Sequence, residues 1–210
     1  MLCTSTRWHF LGVMALLGWG FAIGFGFRWL HGYEVTPGLA GRPVVAWPSD
    51  MPSKPAAGTF AVFMAVHPRC PCTQASLRVL AEILRKHRGQ VPVQLLVYRP
   101  RGSSLDWPGT SWRRSIESAP GISYQDDPGA EVAQRFGLKT SGAVVMFDES
   151  GKVRFLGGIT EGRGQEGVSE SAIALSGQMT GTDANRATCQ VFGCPLVADS
   201  VGFPSGRDRP

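Results

Sequence analysis

The sequence predicts an α/β domain built on a central mixed sheet and carried behind one apolar N-terminal helix. Three observations predict it. The β-branched run from Thr59 to Val66 passes straight into an amphipathic helical pattern and then into a second β-rich run, Val91 to Tyr98, which is the order of a parallel βαβ unit. Further on, Ala143 to Asp148 and Lys152 to Leu156 flank the turn Glu149-Ser150-Gly151 as an antiparallel hairpin. Ahead of both, no charged residue interrupts the stretch from Phe10 to Phe27.

That apolar stretch amounts to about 27 Å of helix, close to the thickness of a bilayer core. Trp8, Trp29 and Tyr33 flank it where interfacial aromatics are expected. A cleaved signal peptide needs a small-x-small site after the apolar run, and Phe27, Arg28, Trp29 and Leu30 stand there instead, so the segment reads as an uncleaved anchor. Arg7 before the span and Arg28 after it leave the positive-inside rule undecided.

The organisation that follows is an N-terminal tail and membrane anchor over 1–31, a Pro/Gly-rich tether over 32–57, a folded domain over 58–179 and a cysteine-containing tail over 180–210. The tether reading rests on Pro37, Pro43, Pro48, Pro52 and Pro55, with no sustained periodicity between them. Residues after Leu196 read as disordered. With 210 residues there is chain for one ordinary domain plus these attachments. A formal charge of +5 raises nucleic acid as a partner, but the arginines are scattered, without a basic block or stacking motif, and describe a solvated surface.

Within the domain, the first helix places Leu77, Leu80, Ala81 and Leu84 on one face and stops at His87-Arg88-Gly89. A short helix is expected around Ser111 to Ser118, a short strand over Ile122 to Asp126, and a helix from Pro128 to Phe136 opened by proline and closed by Gly137. After the hairpin, Gly157 to Gly164 is glycine-rich. It lacks the strand-to-helix setting and the GK[ST] of a phosphate loop, so it reads as a mobile loop near the cysteines.

The chemistry concentrates in His67-Pro68-Arg69-Cys70-Pro71-Cys72-Thr73, where the first strand hands over to the first helix. A helix start offers unpaired N–H groups and the positive end of its dipole, which favour thiolate over thiol. Arg69 adds a positive charge beside Cys70, and Pro71 suits the first turn because it has no N–H to lose. Cys70 is the candidate nucleophile and Cys72 the resolving thiol. A bridge between residues two apart is feasible only with strain. His67 has three readings: a base for a thiol, a metal ligand, or a residue that fills the turn before Pro68.

On H-P-R-C-P-C-T with its helix, together with T-S-G, F-L-G-G-I-T and C-x-V-F-G-C-P-L further on, the domain resembles the thioredoxin superfamily. With its anchor it is similar to the membrane-tethered, extracytoplasmic, RedB-like thioredoxin-like proteins. The resemblance covers roughly Gly58 to Gln178 and implies a three-layer thioredoxin-like fold and a thiol–disulfide oxidoreductase. Two departures stand out. The family's C-x-x-C becomes C-x-C, so with Cys70 in the first place Thr73 takes the second. The family's cis-proline position falls on Gly142, after Thr140 and Ser141, where glycine still permits close backbone approach.

Cys189 and Cys194 enclose a compact loop that reads as a structural disulfide; the alternative is a tail that folds back to resolve a disulfide formed at Cys70. Cys3 lies on the other side of any membrane from the domain. Two closely spaced cysteine pairs after the span fit an oxidising compartment, so the domain is expected to be periplasmic, with the N-terminus in the cytoplasm. The expected partner is an exported or membrane-bound protein thiol or disulfide, and no cofactor is implied. A different class of reading is a copper or zinc carrier using His67, Cys70 and Cys72, on grounds of ligand softness.

Overall fold

The computed structural model describes residues 3–51, 54–104, 107, 111–182 and 187–197, with side chains from residue 8 onward. It divides into two compact units, Met1–Thr36 and Pro37–Pro210. The first is a single helix, α1 (Cys3–Glu34). Its stretch Trp8–Glu34 is long and apolar enough to cross a membrane, and Leu16, Phe21, Phe27 and Trp29 are all exposed. A helix apolar all round is the pattern of a membrane span or of a helix inside a core, and these side chains are exposed.

The second unit is a six-stranded sheet in the order β3-β2-β1-β4-β5-β6. β1 (Ala61–Val66) runs parallel to β2 (Val93–Arg99), joined through α2 (Pro71–Lys86), and β3 (Ile122–Pro128) adds in parallel outside β2. On the other side β4 (Val144–Phe147) pairs antiparallel with both β1 and β5 (Val153–Gly157), and β6 (Ala187–Thr188) closes that edge. A 3₁₀ turn covers Ser111–Ile116, and α3 (Glu131–Arg135) and α4 (Glu170–Thr180) complete the elements.

Strand β1 is central and buried on both faces, so its alternation divides the core in two. Val62, Met64 and Val66 face Leu77, Leu80 and Leu84 of α2 and Leu175 of α4. Phe63 and Ala65 face Phe136, Leu138 and Phe147 on the opposite layer. There the rings of Phe63 and Phe136 stack 4.3 Å apart, and Trp47 meets Phe147 edge-on at 5.1 Å. Contacts of this kind add roughly 0.5–1.5 kcal/mol per pair beyond the burial itself.

The structure corrects the tether. From Pro37 onward the chain belongs to the compact unit: Gly38 N–H donates to the Val191 carbonyl, Trp47 N–H to that of Gly151, and Ala46 bridges Lys152. The physical reason is Trp47, whose indole covers three phenylalanines that would otherwise face water. The helix expected over 128–136 shrinks to α3, because Pro128 stays in β3 and Ala130 turns the chain at φ 59°. Asp127, not proline, opens it, its carboxylate accepting from the N–H groups of Val132 and Ala133. The tail is ordered over the described residues 187–197, while residues 198–210, where disorder is expected, lie outside the described residues, as do 183–186.

Candidate active site

Helix α2 begins where β1 delivers the chain at the sheet's end. Cys70 is its N-cap, with extended backbone (φ −89°, ψ 118°), and Pro71 opens the helix as the sequence requires. Thr73 N–H, in the first turn, donates to the Cys70 carbonyl, and the Thr73 backbone also favours the Cys70 thiolate. Cys70 is 2% exposed, and Thr73, one turn on, is fully buried.

The sulphur nearest Cys70 comes from far along the chain. Cys194 Sγ lies 2.9 Å from Cys70 Sγ. The tail reaches this point as an extended segment docked on 139–141: Leu196 N–H donates to the Lys139 carbonyl, Ser141 N–H donates to the Cys194 carbonyl, and Thr140 bridges Pro195. Arg163, from the glycine-rich loop, donates to the Gly193 carbonyl at 2.5 Å. Gly193 must be glycine, since a Cβ there would stand 2.1 Å from the Ser141 carbonyl oxygen.

Ser141 joins the two halves of the site. Its hydroxyl accepts from His67 N–H at 2.7 Å and hydrogen-bonds the Thr73 hydroxyl, while its own N–H holds the tail. Gly142 follows at φ 90°, donating to the Ala65 carbonyl, and a Cβ there would press on Ser76 Oγ at 3.0 Å. Thr140, Ser141 and Gly142 are thus brought to the cysteine turn; Thr140 turns its hydroxyl to the Leu39 carbonyl.

Electrostatically the thiols are unequal. The side chain of Cys194, hydrogen-bonded to it, holds the Cys70 thiol down to about 4 against the upward push of burial, with the Thr73 hydroxyl and the backbone of Cys194 and Thr73 adding to the effect. The Cys194 thiol is pushed up by the same hydrogen bond to Cys70, by burial and by the negative charge on Cys70. Burial, and then the charge on Cys70, raises the Cys72 thiol as well. Arg163 opposes the rise at both Cys72 and Cys194. Cys70 therefore carries the negative charge of the cluster, with protonated thiols around it.

Two expected partners of Cys70 are engaged elsewhere. The Arg69 guanidinium lies over the Trp107 ring, 4.6 Å from its centroid. His67 stacks on Tyr98 at 5.2 Å, and its Nδ1 accepts from Arg69 N–H. Burial lowers its pKa, which leaves the imidazole neutral at pH 7. Among the described residues no group of three or more His, Cys, Asp or Glu side chains is arranged to hold a metal ion.

Cys70, Cys72, Cys189 and Cys194 are free thiols, and the Cys189–Cys194 loop closure expected from their spacing is not formed. The physical reason is the sheet edge. Cys189 N–H is bonded to the Leu156 carbonyl beyond β6, and its side chain packs on the core, where burial raises its pKa. Cys194 is drawn instead to residues 139–141. The residue that sequence reasoning missed is Arg163, and its only signal was being the one basic residue in the glycine-rich stretch.

A cysteine-bearing strand-to-helix junction, a parallel βαβ unit, an antiparallel hairpin and a closing helix on the same face as the first define a thioredoxin-like fold. No family model matches the sequence, and no curated protein does. Among solved structures, a hypothetical protein of Sinorhizobium meliloti shares the fold at a TM-score of 0.57 and 14% identity, over 76% of this chain and 98% of its own. An uncharacterized conserved protein from Geobacillus kaustophilus does so at 0.53 and 15%, over 80% and 95%. A secreted disulfide oxidoreductase of Mycobacterium tuberculosis aligns more loosely, at 0.42 and 16%, over 60% and 83%.

Proposed function

We propose that this chain is a membrane-anchored thiol–disulfide oxidoreductase in which Cys70 attacks a disulfide of an extracytoplasmic protein partner. The observation that carries the reading is the Cys70 thiol at the start of α2, held down to about 4 and so ionised at neutral pH.

The Cys70 thiolate attacks one sulphur of the partner's disulfide. That bond breaks as the mixed disulfide forms, and the other partner sulphur leaves as a thiolate that takes up a proton. A second thiol of this chain then attacks Cys70 Sγ, releasing the partner fully reduced and leaving the chain oxidised by two electrons. Run in reverse, the same steps oxidise a dithiol partner. The span over Trp8–Glu34 supports attachment to a membrane. Clustered thiols poised for exchange support an oxidising compartment, and with it a domain on the extracytoplasmic side.

The rate of Cys70 alkylation against pH tests the reading, followed by mass spectrometry in full-length protein and in Cys70→Ser and Cys72→Ser variants. A midpoint near 4 at Cys70 is expected. Slow, equal alkylation of every thiol with a midpoint near that of free cysteine, about 8.5, overturns it.

A further inference from the structure

We infer that Cys194, delivered by the docked tail segment 191–196, is the thiol that resolves the mixed disulfide at Cys70, so that the working redox pair is Cys70–Cys194 and Cys72 stays reduced. This rests on exchange at Cys70 and adds the identity of the second thiol.

The first ground is reach. Cys194 Sγ stands 2.9 Å from Cys70 Sγ, within the distance at which a held nucleophile attacks without further search. It also faces Cys70 from a separate segment of chain. The Cys72 side chain also hydrogen-bonds Cys70, but it comes from the same helix start two positions on, where Pro71 fixes the backbone between them and a bridge forms only with strain.

The second ground is that the tail is built to hold this position. Cys194 lies between two buried apolar anchors, Phe192 and Leu196. Its carbonyl is taken by Ser141 N–H and that of Gly193 by Arg163, while Gln190 and Val191 accept from Gly158 and Gly38. Every hydrogen bond in that set runs to the residues that frame the cysteine turn or to the edge beside it. None needs Cys189, whose sulphur serves the core.

The step balances as follows. In the mixed disulfide, Cys70 Sγ is bonded to a partner sulphur. Cys194 loses its proton and attacks Cys70 Sγ, the Cys70–Cys194 bond forms, and the bond to the partner sulphur breaks. The partner sulphur leaves with the electron pair and acquires the proton. A dithiol protein or a small thiol reduces the Cys70–Cys194 bond to begin the next cycle. Because Cys70 is covered by the tail in the thiol state, the incoming sulphur displaces Cys194, which then returns to resolve.

The test uses reduced full-length protein in detergent, glutathione disulfide as the probe, and peptide mapping after acid quenching and alkylation. The expected product is a Cys70–Cys194 link with Cys72 and Cys189 alkylated. Cys194→Ser accumulates the Cys70–glutathione adduct, whereas Cys72→Ser still forms the link. Gly193→Ala keeps every thiol but sets a methyl against the Ser141 carbonyl, and it slows formation of the link by about tenfold or more. A Cys70–Cys72 or Cys189–Cys194 link in the unaltered protein overturns the inference while exchange at Cys70 survives. No adduct and no link in any variant overturns exchange at Cys70 itself.

Discussion

Helices α2 and α4 lie on the same face of the sheet and begin in opposite ways. At α4, Ser169 is an extended N-cap whose hydroxyl accepts from Ala172 N–H, the ordinary way to satisfy a first turn. At α2 the same backbone position is held by Cys70, which has no oxygen to cap with and whose thiolate, rather than thiol, the Thr73 backbone favours. A cap of the Ser169 kind is worth about 1 kcal/mol. The α2 terminus gives up a hydroxyl cap and turns its first-turn backbone and dipole towards a charge that a hydroxyl cannot carry at neutral pH. The short α3 shows a third arrangement, an ionisable group that caps from outside the helix through Asp127.

The comparison breaks most completely at the cysteine itself. Cys70→Ser makes the start of α2 chemically like that of α4, and exchange with glutathione disulfide is expected to fall to the background rate of buffer, measured by release of reduced glutathione.

Next in size is the loss of the neighbouring sulphur. Cys194→Ala removes the largest cause of the low Cys70 pKa, so the alkylation midpoint climbs from about 4 towards the ordinary thiol range. The same shift has a stability consequence whose sign is fixed. Cys70 is more acidic folded than unfolded, so its contribution to stability is complete above the unfolded thiol value and is lost as pH falls through about 4. Urea unfolding of the full chain is expected to show stability rising from pH 5 to pH 8, with a shallower rise in Cys70→Ser.

Smaller effects separate capping from chemistry. Asp127→Ala strips two N–H groups of their acceptor at a buried helix start and is expected to cost about 2 kcal/mol in urea unfolding. Ser169→Ala should cost about 1 kcal/mol and leave the Cys70 alkylation midpoint where it was. A shift of that midpoint in Ser169→Ala would remove the distinction between a cap that stabilises and a cap position kept open.

What the sequence made legible follows from where each signal resides. β1, α2, β2 and the hairpin carry their periodicity locally, and each appears within a few residues of its expected place. The cysteine turn was legible for the same reason, since a helix start is a local feature. The Pro37–Met51 stretch was misread because proline-rich composition describes a free tether and a docked extended segment equally well. Only Trp47, an apolar residue too large to leave exposed without a purpose, argued for docking. Cys194 and Arg163 depend on pairings across the fold, Cys194 with 139–141 and Arg163 with Gly193. Spacing within the tail pointed towards Cys189, because nothing in C-x-V-F-G-C records that β6 draws one cysteine to the sheet edge while Ser141 draws the other to Cys70.

The separation of 124 positions between Cys70 and Cys194 sets an order of events during synthesis. A ribosome finishes β1, α2 and β2 well before the tail exists, so the helix start that bears Cys70 is complete while the thiol that covers it, and that most lowers its pKa, is still unmade. Through that interval the nascent domain carries Cys70 without its lid and without the main cause of its acidity, so uncovering and activation come apart in time. Arrival of Phe192, Cys194 and Leu196 closes the interval.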